Sequence, residues 1–114
     1  MYNHMVVDQA GIDRVFAALA DATRRDIVTR VLSREASVSA LARQYEMSFA
    51  AVQKHVAVLE RAGLVTKRRS GREQLVRGDV DTIRRARELL RQYEEIWRGR
   101  VDRMHDLLNR KDDS

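Results

Sequence analysis

The eighteen residues from Ser48 to Val65 constrain the fold more than any other stretch of this chain. They open on a serine whose hydroxyl can accept a bond from a free backbone N–H at the start of a helix. Val52, Val56 and Leu59 follow at steps of four and three, which draws one apolar stripe along a helix reaching to about Ala62, with Ala51 and His55 at its margins. Gly63 suits the left-handed position that ends such a helix. The pattern then changes to the β-compatible run Leu64-Val65-Thr66-Lys67-Arg68-Arg69. A helix so bounded buries one face and leaves Ser48, Phe49, Ala50, Gln53, Lys54 and Ala57 on the other.

The same reading extends in both directions. Upstream, Ile12, Val15, Phe16 and Leu19 recur at helical spacing over 12–20, and Asp21 reads as the N-cap of a second helix carrying Ile27, Val28, Val31 and Leu32. Ser37-Val38-Ser39 opens a short third helix with Leu41 and Ala42 that stops around Tyr45. Downstream, Gln74-Leu75-Val76-Arg77 is a second β-compatible run, separated from the first by Ser70-Gly71-Arg72-Glu73, as in a hairpin. A long final helix is expected from about Val80 to Leu108. The fold class is therefore mainly α with a small β-hairpin, in the order α-α-α-α-β-β-α. With 114 residues the chain is expected to form one domain, with a helix-turn-helix over 39–62, a wing over 64–77 and the last helix over 80–108.

Helix, tight turn, helix and basic hairpin in that order describe a winged helix-turn-helix. The major groove of DNA is wide enough to admit the Ser48 helix. On its outer face Gln53 can pair with adenine through two bonds, Lys54 can reach guanine or a phosphate, Ser48 adds a hydroxyl, and Phe49 or Ala50 can meet a thymine methyl. The net charge of +5 matters chiefly for where it sits: Lys67, Arg68, Arg69, Arg72 and Arg77 against Glu73 leave +4 in the hairpin alone. Such a wing is expected to lie along phosphates or in the minor groove. Arg24 and Arg25 are further phosphate candidates. Taken alone, a basic hairpin is ordinarily a solvated turn; the ordered combination is what points to double-stranded DNA.

Phe16-Ala-Ala-Leu-Ala-Asp-Ala-Thr-Arg-Arg-Asp-Ile-Val resembles the opening of the second helix in ArsR/SmtB-type repressors, and Ser48-Phe-Ala-Ala-Val-Gln-Lys-His-Val-Ala-Val-Leu-Glu-Arg-Ala-Gly-Leu-Val resembles that family's recognition helix and its end. The likeness covers roughly Ile12 to Arg77. It implies a symmetric dimer on an inverted repeat in a promoter, acting as a repressor released by a signal. It also implies a helix-packing or phosphate-contacting role for His55. Many members sense metals, but serines stand at Ser37 and Ser39 where one class has a Cys-X-Cys pair, and hydroxyls do not replace thiolates for soft metals. The last helix offers His105 beside Asp102 and Asp106 without a second histidine at the spacing another class uses. A metal site or other cofactor is therefore not expected, and a non-standard His/Asp zinc site is the alternative. His4 belongs to a terminal stretch expected to be mobile.

The last helix carries Ile83, Ala86, Leu90, Tyr93, Trp97, Val101, Met104 and Leu108, a heptad-like seam with one extra residue near Gly99, widened by Leu89, Ile96 and Leu107. A domain this small cannot cover so long a face. The first half of the helix is expected to fold onto the chain's own core and the second half onto a partner's helix. That gives a homodimer through Leu90, Tyr93, Trp97, Val101, Met104 and Leu108, joined by Val15 and Leu19 of the first helix. Tyr93 and Trp97 read first as interface core, with a small apolar effector pocket at the seam as the alternative.

Other classes find little footing. There is no nucleophile elbow, no phosphate-binding loop and no clustered His/Asp/Glu at catalytic spacing, so an enzyme is not expected. With no cysteine there is no disulfide framework. No signal peptide or membrane-spanning run is visible, and the chain is expected in the cytoplasm. A protein-interaction module that has lost DNA binding is the remaining competitor. The wing argues against it, because five positive charges in one hairpin repel unless an anion compensates.

Overall fold

The computed structural model describes residues 2–113, with side chains described for 9–110. Its elements are α1 (Tyr2–Leu19), α2 (Ala22–Ser33), β1 (Ala36–Ser37), α3 (Val38–Ala42), α4 (Phe49–Arg61), β2 (Val65–Ser70), β3 (Glu73–Gly78) and α5 (Val80–Asp113). They divide into two compact units, Met1–Ile83 and Arg84–Ser114.

The helix boundaries in the first unit follow from local chemistry. Asp21 accepts a bond from the Arg24 N–H, Ser37 from Ala40 and Ser48 from Ala51, at 2.9, 3.0 and 3.1 Å, so α2, α3 and α4 each begin on a side-chain oxygen. The Asp21 carboxyl is held below its ordinary pKa, first by the bond from the Arg24 backbone. At the other end of α4, Gly63 adopts φ +78°. That conformation lets its N–H reach Glu60 O at 3.0 Å and the Leu64 N–H reach Leu59 O at 3.0 Å, the paired closure of a Schellman motif.

Four helices and one face of the sheet enclose the core of this unit. Ile27, Val31, Leu41, Val52, Val56, Leu59, Leu64 and Val76 are all buried. The sheet has three antiparallel strands in the order β1-β3-β2, where two were expected. The extra strand is two residues long and pairs Ala36 with Val76 and Ser37 with Leu75. The hairpin pairs Val65 with Gly78 through to Ser70 with Glu73. Its turn, Gly71-Arg72, has positive φ at the glycine (+61°) and not at Arg72, the signature of a type II′ turn. Gly78 is a close-approach position: a Cβ there would stand 2.6 Å from Leu32 Cδ2. This is a winged helix-turn-helix, as the resemblance implies.

Several expectations need correcting. The buried residues of α1 are Val15 and Ala18, whereas Phe16 is 37% exposed and Ile12 and Leu19 are half-buried. Leu32 lies over Gly78 at the rim of the core and remains 44% exposed. The third helix closes at Ala42, and residues 43–48 form the turn. The last helix continues five residues beyond Leu108, to Asp113. The expectation for His4 concerns a side chain outside the described residues.

Candidate nucleic-acid interface

The face of α4 opposite its buried stripe carries Ser48, Phe49, Ala50, Gln53 and Lys54, all exposed, with Ala57 half-exposed. Among the described residues nothing apolar covers this face, and the angle of α4 is fixed from behind. In the turn before it, the Tyr45 hydroxyl donates to Asp26 Oδ2 of α2 at 2.5 Å. Arg30 Nε donates to the same oxygen at 2.8 Å. The Arg30 guanidinium lies 5.7 Å from the Tyr45 ring centre and also reaches Gln44 Oε1 at 3.4 Å. Burial, followed by the bond to Asp26, pushes the Tyr45 phenol up to about 12. The bonds from Tyr45 and then Arg30 hold the Asp26 carboxyl below the usual carboxylate range. These groups tie α2 to the turn that launches α4.

The hairpin's two faces hold different cations. Lys67 pairs across the strands with Val76, and its ammonium meets Glu60 of α4 at 3.3 Å. Lys67 and Gln74 share a small crevice with Gln53 and Val56 of α4, so this face of the wing adjoins the recognition helix. Arg68 meets Glu35 through two bonds, at 3.3 and 2.9 Å. Arg69, Arg72 and Arg77 are exposed and form no ion pair among the described residues. Of these, Arg72 sits in the turn and Arg69 beside it, whereas Arg77 stands opposite Thr66 near the base of the hairpin.

The other basic candidates have different surroundings. Arg24 directs Nε to Ala18 O at 2.6 Å and Nη2 to Ala17 O at 3.3 Å, which satisfies carbonyls at the end of α1. Its Nη1 stands 3.4 Å from His55 Nδ1, so His55 is a half-buried packing neighbour of Arg24. Arg25 is exposed and donates to Leu19 O at 2.7 Å. Packing is one of the two roles that the resemblance implies for His55, whereas the carbonyls that Arg24 serves leave no trace in composition or spacing. Gln74, next to Gln53 in the crevice, went unnoticed for the reason that it reads as an ordinary strand residue.

In the second unit, Leu90, Tyr93, Ile96, Trp97, Val101, Met104, Leu107 and Leu108 are all exposed, Trp97 by 58%. The charged flank is stitched by Arg91 to Glu88 and Glu95 and by Arg98 to Glu94, at 2.6–2.7 Å. Val15 of the first unit is only 2% exposed, so as it stands it supplies core and not surface. Among the described residues no group of three or more His, Cys, Asp or Glu comes together. Nor, among them, is any helix long and apolar enough to cross a membrane.

An exposed polar helix face, buttressed from behind and flanked by a basic hairpin, defines a helix-turn-helix DNA-binding protein. The comparisons agree. A helix-turn-helix domain model matches residues 19–68. An HTH-type transcriptional regulator of Mycobacterium tuberculosis, Rv2034, is 42% identical over 67 residues, 59% of this chain, and the chain spans 63% of that relative's length. An ArsR-like transcriptional regulator from Rhodococcus sp. RHA1 superposes with a TM-score of 0.76 at 30% identity, over 87% of this chain and 93% of its own. The homodimeric winged helix-turn-helix DNA-binding domain of Mb0332 from Mycobacterium bovis, a possible ArsR-family regulator, gives 0.63 at 27% identity over 76% and 82%. This chain belongs to the ArsR family of winged helix-turn-helix transcriptional regulators.

Proposed function

We propose that this regulator binds an inverted-repeat operator as a homodimer and represses the promoter that contains it. The observation that carries the reading is the pairing of the open α4 face with the unpaired cations of the wing. Gln53 and Lys54 read base edges in the major groove, with Ser48, Phe49 and Ala50 in close attendance. Arg69, Arg72 and Arg77 take phosphates. Arg25 stands as a further phosphate contact, whereas Arg24 and His55 serve by holding the end of α1 against α4. The activity is binding rather than catalysis, exercised in the cytoplasm where the chromosome lies.

The homodimer rests on the open seam of α5. Leu90 and Val101, Tyr93 and Met104, Ile96 and Leu107, and Trp97 and Leu108 each stand eleven residues apart. An eleven-residue repeat advances roughly 3.67 residues per turn, close to a straight helix, so the stripe runs along α5 without winding off its face. A second copy of the same helix offers a matching stripe, and pairing two copies places two α4 helices on one duplex, as a two-fold operator requires. We propose that Leu19 and Phe16 of α1, half-buried and exposed, join that contact.

Selection of duplexes from a random pool by the purified protein tests this reading. The expected product is a two-fold symmetric site whose half-sites are about one helical turn apart. Enrichment of no sequence over random DNA would remove the operator from the account.

A further inference from the structure

The two faces of the wing are fastened differently, and one fastening crosses the whole sheet. In the register of the sheet, Arg68 stands opposite Leu75, and Leu75 opposite Ser37. Cross-strand partners share a face, so these three residues form one row over β2, β3 and β1. Arg68 extends along this row, over the middle strand, and grips Glu35 just before β1 with two bonds of 3.3 and 2.9 Å. Glu35 is the more covered partner, with a side chain 30% exposed against 62% for Arg68. On the opposite face Lys67 is tied to Glu60 of α4.

We infer that Arg68 is a positioning residue for the wing and not a phosphate contact: with Glu35 it forms a strap that sets the angle at which Arg69, Arg72 and Arg77 meet DNA. Glu35 occupies one edge of the Arg68 guanidinium and offsets its charge, which weakens its pull on a phosphate, while Arg69 and Arg72 toward the tip have no such partner among the described residues. The base of the ribbon is packed on the core through Val65 and Val76 and tied to α4 through Lys67, and the forked bond from its outer strand to the link ahead of β1 holds it from the opposite face. The inference rests on the wing binding DNA, and it divides the wing's five cations into those that hold it and those that bind.

The experiment measures affinity for the selected duplex as salt is raised, for wild type, Arg68→Ala, Glu35→Gln, the double variant and Arg72→Ala. All these side chains are exposed or half-exposed, and thermal melts confirm that each variant folds. The strap predicts that Arg68→Ala and Glu35→Gln each weaken binding about threefold, the scale of an exposed forked pair, with an unchanged salt slope. The double variant loses no more than either single one. The swapped pair Glu35→Arg with Arg68→Glu recovers wild-type affinity to within about twofold, because the strap is restored in reverse. Arg72→Ala, a direct contact, lowers the salt slope by about 1. A slope lowered by Arg68→Ala, tighter binding by Glu35→Gln, or no change in either single variant overturns the strap. Failure of wild type to hold any duplex, or indifference to Arg72→Ala, instead removes the wing's role in DNA binding.

Discussion

In α4 the apolar stripe Val52, Val56 and Leu59 is wholly buried, and the opposite, polar face stands open. In α5 beyond Arg84 the charged residues from Glu88 to Arg98 pair with one another, and it is the apolar stripe from Leu90 to Leu108 that stands open. Both helices are amphipathic, yet they expose opposite halves of their pattern. A polar face left open on a braced helix suits a ligand read by hydrogen bonds, here the base edges of DNA. An apolar face left open over five turns suits another apolar face, in the proposed reading that of a second copy. The contrast puts the open polar face and the open apolar face on separate parts of one small chain.

Substitutions can break that contrast in order of expected effect. Leu59 is fully buried, so Leu59→Ala should cost about 2–5 kcal/mol of unfolding free energy, whereas Leu107→Ala should leave unfolding in dilute, monomeric protein nearly unchanged. Chemical denaturation at two protein concentrations measures both. Trp97→Glu should give the monomer mass in sedimentation equilibrium and lower operator affinity about 100-fold, through loss of two-point attachment, with the helical content of the first unit intact. Retention of the dimer would move the interface away from the α5 seam. Gln53→Ala should cost about 1–3 kcal/mol on the selected duplex and little on random DNA. Equal losses on both would take base reading away from α4.

A smaller effect sharpens the contrast at the place where α4 is braced. The Tyr45 phenol is raised from 10.0 to about 12, so it favours the folded state below its unfolded value, and this contribution disappears as pH rises through about 12. The Asp26 carboxyl is lowered from 3.8, so its contribution is present above that value and is lost as pH falls through the folded one. Tyr45→Phe should therefore flatten the alkaline limb of the stability profile and leave wild-type stability at neutral pH only slightly reduced. An unchanged alkaline limb would show that Tyr45 does not brace the turn.

Much of this was legible in the sequence because the signals are local. Asp21, Ser37, Ser48 and Gly63 mark helix ends by interactions spanning three to five residues, and each does so in the structure. The stripe of α4 and the glycine of the hairpin turn are local in the same sense. The features that escaped are those made by distant partners. Strand β1 has two residues, too few to show a period, and exists because Val76 and Leu75 offer it an edge. Arg24 looks like a free cation until the end of α1 lies beside it, and Arg68 until Glu35 does. Phe16 fits the helical spacing of α1, but the core meets that helix at Val15 and Ala18. Charge counting identified a basic wing correctly without being able to tell its fastened cations from its open ones.

The most direct test is the salt dependence of binding between the wild-type protein and its selected two-fold duplex, measured together with stoichiometry. The expected result is one dimer per duplex and an affinity whose logarithm falls linearly with the logarithm of salt, at about 0.9 per phosphate contacted. Binding that ignores salt, or a monomer that saturates a lone half-site with full affinity, would contradict it.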